Sequence, residues 1–213
     1  MTEVLPILAA LLVTLTSLTL LVVPDWRISI GALTIQYAGV FLLVSLEWPI
    51  SMAIIKLVAG WMASAVMGIT LANIFYFTTE TRPGDSSFVG KDQRPFNSTR
   101  LEMGGLFSLL AAILIGLVVL SQTSLLEKWF PGIRIEQAWG GLILIAMGLL
   151  QLSFATHTFP TVLGILTTLA GFEILYAMIE ASPLSVGLLA VIHMGLALIC
   201  AFLLATPFTE EIE

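Results

Sequence analysis

The sequence predicts an all-α integral membrane protein with about seven transmembrane helices. Three observations lead there. Hydrophobic residues make up 58% of the 213 residues and charged residues only 10%, against about 25% charge in a soluble domain. The apolar runs approach the roughly 20 residues that a helix needs to cross a bilayer. They also lack the strict alternation of barrel strands. The chain carries 8 Lys and Arg against 14 Asp and Glu, a formal net charge of -6. This balance argues against a nucleic-acid partner, because binding phosphate needs basic surface. The single cysteine, Cys200, cannot make an internal disulfide.

Seven segments follow in order: 4–23, 28–47, 50–77, 103–122, 137–156, 160–181 and 184–206. The first begins Met1-Thr2-Glu3; it lacks the basic start of a signal peptide and is read as a membrane helix. Pro24-Asp25-Trp26-Arg27 forms a tight polar turn, and Glu47-Trp48-Pro49 another. The third segment has Gly60, Ser64 and Gly68 on the same face as Lys56, a stripe of small residues that invites close helix packing. From Thr78 to Arg100 the chain is polar, charged and rich in Gly, Pro and Ser, a long solvated loop. Its Asn97-Ser98-Thr99 is read as a chance sequon. Glu127 to Gly132 makes the next break, and Ala181-Ser182-Pro183 separates the last two segments. Trp26, Trp48, Trp129 and Trp139 stand at segment ends, where headgroups favour them; Trp61 does not. The organisation expected is a three-helix part over 1–77, a cytoplasmic loop over 78–102 and a four-helix part over 103–213.

Basic loop residues set the orientation. Arg27, Arg82, Lys91, Arg94 and Arg100 fall on one side, and Lys128 and Arg134 on the other. Five against two places the N-terminus outside and the C-terminus in the cytoplasm, with the membrane being the bacterial or archaeal cytoplasmic one.

Ionisable groups in hydrocarbon cost about 2.5–3.5 kcal/mol on insertion scales, so those present are informative. Glu173 is the strongest candidate, about 12 Å from the outer end of the sixth segment by helix rise. His193 lies at nearly the same level on the antiparallel seventh, and Gln36 is at a comparable depth. For His193 a neutral hydrogen-bonded imidazole, a proton relay and a porphyrin ligand are all open, in that order. Lys56 either snorkels along its stem or is buried as part of a proton relay. Glu180, seven residues after Glu173 on one helical face, is read first as an interfacial carboxylate. Gln151 is a further buried amide candidate. No phosphate loop, nucleophile elbow, paired-carboxylate transferase motif or Cys-x-x-Cys is present, and no catalytic, metal or cofactor site is expected.

The stretch Gly171-Phe172-Glu173-Ile174-Leu175 resembles the G-x-E-[IL]-[LM] segment of the small K subunit of complex I, the NADH–quinone oxidoreductase proton pump. Residues 195–204, GLALICAFLL, look like the end of that subunit's third helix, so 137–206 would be the K-like unit. The whole chain resembles the hydrogenase-4 component E family, related to the Mrp antiporter C-like subunits. Residues 55–64, IKLVAGWMAS, are similar to a Lys-containing segment there. The resemblance implies a non-catalytic membrane subunit of a proton- or cation-translocating complex, partnered by larger antiporter-like subunits. Glu173 would carry the proton, Lys56 would bias it, and Gln36 and His193 would hold bridging waters. One departure matters: the family's acidic residue in the last helix falls at Val191, and His193 is the nearest ionisable group. A structural or assembly subunit of a respiratory or photosynthetic complex, or a small stand-alone transporter, are the alternatives.

Overall fold

The structure is a computed structural model that describes residues 4–80, 104–129, 134–180 and 182–206. Among these residues there are seven helices and no strand: α1 (Val4–Val22), α2 (Trp26–Val44), α3 (Ile50–Glu80), α4 (Gly104–Trp129), α5 (Ile135–Phe154), α6 (Thr158–Ala177) and α7 (Pro183–Ala205). Six are long and apolar enough to cross a membrane, which is consistent with an integral membrane protein. In the seventh, α4, the apolar stretch is the shorter Phe107–Gln122. The polar loop with Arg82, Lys91, Arg94, Arg100 and Asn97 lies outside the described residues, and so does the acidic tail after Thr206.

The helix ends differ from the sequence expectation where capping chemistry wins over hydropathy. α2 begins at Trp26, inside the anticipated turn. Asp25 is its N-cap and accepts a hydrogen bond from the Arg27 backbone N at 3.0 Å, satisfying one of the orphan donors of a helix start. α4 continues through Glu127-Lys128-Trp129, expected to be a turn; nothing in Leu125–Trp129 breaks a helix, and the next proline is Pro131. α6 stops at Ala177 rather than 181. Met178 and Ile179 close a turn onto Leu175 and Tyr176, and Pro183 opens α7 at its first helical position. Inside the helices, hydroxyls fold back on their own backbone. Thr14, Thr16, Ser17 and Thr19 of α1 all donate to carbonyls three or four residues earlier, which lets an apolar helix carry hydroxyls without leaving them unpaired in a membrane.

α2 lies in the middle of the bundle, touching α1, α3, α5 and α6. One continuous core joins residues from the N-terminal three helices, such as Val13, Leu33, Val40 and Met67, to Leu166, Ile174 and Ala197 of α6 and α7. A smaller cluster, Ala112, Val119, Ile143 and Met147, attaches α4 to α5. The most extensive helix pair is α5–α6. There Gly141 and Gly148 face Gly164 and Gly171. A Cβ on Gly171 would come within 2.6 Å of the Gly141 carbonyl oxygen and 2.7 Å of the Ile145 backbone N. The outer faces of α4 and α7 carry exposed apolar side chains such as Leu110, Leu117, Leu188 and Phe202.

Candidate functional site: a buried ammonium, carboxylate and imidazole

Three of the charged or titratable residues singled out in the sequence meet inside the bundle. Lys56 comes from α3, Glu173 from α6 and His193 from α7. They are 2%, 0% and 0% exposed. The Lys56 Nζ donates to Glu173 Oε1 and forms an ion pair with it. The same Nζ is 3.0 Å from His193 Nδ1 and 3.4 Å from Nε2. His193 Nδ1 is also 3.5 Å from Glu173 Oε1. Lys56 therefore does not snorkel to the surface, and its stem runs inward.

The chain around each residue explains why it points here. In Gly171-Phe172-Glu173 the glycine and the carboxylate are two residues, or about 200°, apart around the helix. Gly171 presses α6 onto the backbone of α5, so Glu173 faces away from that seam, toward α3 and α7. On α3, Gly60 lies one turn beyond Lys56. A Cβ there would overlap the ring of Tyr37, so its absence lets that ring settle beside the ion pair. Tyr37 meets the His193 ring edge-on, with centroids 5.8 Å apart and planes at 70°. The small-residue stripe of α3 thus admits an aromatic ring rather than a helix backbone. Its other members do less: Ser64 bonds to the Gly60 carbonyl at 2.9 Å, and Gly68 has only ordinary contact with Ile30 at 3.5 Å.

His193 Nδ1 is 2.9 Å from the Leu189 carbonyl oxygen and 3.0 Å from the Lys56 Nζ. The first contact suits a proton on Nδ1 and the second a lone pair there, so the two favour opposite tautomers. With a neutral imidazole the site is electrically neutral overall, whether the shared proton sits on Lys56 or on Glu173. That neutrality is what makes its burial tolerable.

The remaining candidates fall elsewhere. Gln36 is 1% exposed on α2, and neither amide atom has a hydrogen-bond partner among the described residues. Glu180 lies beyond the end of α6, not on a continuing helical face, because the helix stops at Ala177. It is exposed and accepts from the Tyr176 hydroxyl at 3.0 Å; Tyr176 also meets Ser185 at 2.8 Å. Among the described residues no hydrogen bond joins Glu180 to the buried three. Trp48, in the α2–α3 turn, is 3% exposed. Its Nε1 donates to the Glu180 carbonyl oxygen at 3.0 Å and fastens the α2–α3 turn to the α6–α7 turn above the site. Arg134 approaches Glu47 at 3.8 Å at this same end. Gln151, on α5, donates to the Ser17 carbonyl oxygen at 3.4 Å, far from the ion pair. Sequence reasoning missed Tyr37 and Thr167, both buried, whose hydroxyls have no hydrogen-bond partner among the described residues. A tyrosine in the middle of an apolar run, far from the headgroup level that suits it, was the available signal for the first. No group of three or more His, Cys, Asp or Glu capable of holding a metal occurs among the described residues.

No protein-family model, curated protein or solved structure matches this chain.

Proposed function

We propose that this protein is a non-catalytic membrane subunit of a proton- or cation-translocating complex, in which Glu173 takes up and releases a proton within the bilayer. One observation carries the reading: a carboxylate, an ammonium and an imidazole from three different helices touch one another at 0–2% exposure. Charged groups are rare inside membranes and usually mark ion pathways when they occur. A proton arriving at Glu173 weakens its pairing with the Lys56 ammonium and leaves one net positive charge, which the His193 imidazole, 3.0 Å from Nζ through Nδ1, is placed to stabilise. The resemblance of 171–175 and 55–64 to the K-like and component E subunits points the same way and makes larger antiporter-like subunits the partners. In this reading the N-terminus is outside and the C-terminus in the cytoplasm of a bacterium or archaeon; a reporter fused after Glu213 that works only in the cytoplasm should be active.

Glu173→Gln tests the reading. Gln keeps the shape and an oxygen acceptor for Lys56 but has no exchangeable proton. In membranes containing the assembled complex, the variant should be incorporated normally and proton movement should be lost. Normal proton movement through a fully assembled variant complex would refute it. A scaffold reading has one specific observation in its favour: α3 and α6 share little direct packing, and the ion pair is what bridges them. Under that reading the Gln variant is close to silent.

A further inference from the structure

The contacts that join Lys56, Glu173 and His193 leave the pose of the imidazole undetermined. Lys56 Nζ is at comparable distances from both ring nitrogens, 3.0 Å from Nδ1 and 3.4 Å from Nε2. Those nitrogens direct their protons and lone pairs along diverging lines in the ring plane. One ammonium close to both therefore cannot orient the ring. The Leu189 carbonyl, 2.9 Å from Nδ1, belongs to α7 itself. It ties the imidazole to its own helix, not to the partners across the site.

Tyr37 is the neighbour that remains. Its ring meets the imidazole with centroids 5.8 Å apart and planes at 70°, inside the roughly 4.5–7 Å range of attractive edge-to-face pairs. The same ring lies on the backbone of α3 at Gly60, where a Cβ would overlap Cγ, Cδ1 and Cδ2. α2 and α7 share little direct packing, whereas α3 and α7 run together over a long contact. The ring of Tyr37 thus reaches from α2 onto that pair and touches both of its helices at the level of the site. Its hydroxyl is buried and has no hydrogen-bond partner among the described residues. What engages Gly60 and His193 is the ring.

We propose that Tyr37 is the positioning residue of the site: its ring, seated on Gly60, sets the orientation in which the His193 imidazole faces Lys56. The purpose of that orientation rests on the proton-handling reading, in which the imidazole steadies the positive charge left when Glu173 is loaded. The contacts themselves do not depend on it.

Nitrogen NMR of the imidazole tests this directly, because the chain has two histidines. His157 is the N-cap of α6 and makes no side-chain capping bond; asparagine suits that position, so His157→Asn leaves His193 as the single imidazole. In this background the full chain, labelled with 15N-histidine, should give one sharp pair of ring resonances. Tyr37→Phe keeps the ring and should leave the pair in place. Tyr37→Leu removes the ring, and Gly60→Ala pushes it off its seat from the opposite helix; each should shift or split the pair by more than its linewidth. Leu43→Ala is the control for loosening of α2, since Leu43 is buried on that helix but packs on Gly140 of α5; it should leave the pair in place. An unmoved pair in Tyr37→Leu or Gly60→Ala overturns the proposal. So does an equal shift in Leu43→Ala, which would make the effect general, or in Tyr37→Phe, which would assign it to the hydroxyl. Should the perturbing variants not fold, the contact is still measurable: with 13C-tyrosine added, a dipolar contact to the His193 nitrogens should be present and should vanish in Tyr37→Phe, and its absence is equally fatal. Proton movement is read separately, so the resonances can stay fixed while Glu173→Gln blocks it, or respond while it does not.

Discussion

The two faces of α6 are built on opposite principles. Toward α5 it is dry and close. Gly164 and Gly171 meet Gly148 and Gly141, seven residues apart on each helix, and backbone touches backbone. Toward α3 and α7 the same helix presents Glu173, and the space is filled by Lys56, His193 and Tyr37. In lipid, apolar side chains gain nothing by leaving one apolar medium for another, so helices associate through van der Waals contact and through polar bonds. α6 uses the first means on one side and the second on the other. The glycine seam fixes where α6 stands. The polar side is held by titratable groups, an ammonium, a carboxylate and an imidazole.

This contrast predicts unequal sensitivity, largest on the polar side. Lys56→Met leaves the Glu173 carboxylate buried and unpaired. Removing one partner of a buried pair costs about 3–5 kcal/mol, so thermal unfolding in detergent should show a severely destabilised protein. The double variant Lys56→Met, Glu173→Leu removes both charges. Replacement of a whole buried pair by apolar groups is often neutral or stabilising by about 1–4 kcal/mol. The double variant should therefore recover most of the loss while having no proton to move. A double variant as unstable as the single one would mean that the ion pair is itself the clamp between α3 and α6.

The lining of this site was largely legible in the sequence. Charged residues stand out in apolar runs, and Lys56, Glu173 and His193 needed no geometry to be noticed. Which of them met could not be read, because rotation about each helix axis decides that. Glu180, read first as an interfacial carboxylate, and Gln36, read as a companion at the depth of Glu173, make no hydrogen bond to the ion pair among the described residues. Glu180 was displaced when α6 ended a turn early, an outcome set by backbone bonds at Met178 and Ile179. The glycine seam was legible in principle, as paired spacings of seven on consecutive segments, but it was not recognised. The stripe Gly60–Ser64–Gly68 looked more like a packing motif and serves a different purpose.

The glycines therefore divide by what their missing Cβ would strike, and this gives the next effect in size. At Gly171 an added methyl would come within 2.6 Å of a backbone oxygen and 2.7 Å of a backbone nitrogen. Neither atom can turn aside as a side chain would, so the helices must separate. Overpacking of this kind costs about 1–3 kcal/mol, and Gly171→Ala should lower Tm accordingly. It should also weaken any function of Glu173, because the seam aims that residue.

Gly68→Ala has the smallest effect and the opposite sign. Its nearest neighbours are side-chain carbons of Ile30 at 3.5 Å, an ordinary contact distance, so a methyl fits without displacement. What remains is the backbone. Glycine in a helix interior is about 0.5–1 kcal/mol less favourable than alanine because it has more freedom to lose. Inside a lipid-embedded helix part of that freedom is already gone before the bundle forms, so the gain should be at the low end. Gly68→Ala should leave Tm unchanged or slightly raised. A loss as large as that at Gly171 would mean that α3 packs its small-residue face against another helix backbone, and the division between a dry glycine seam and a polar side would then have to be redrawn.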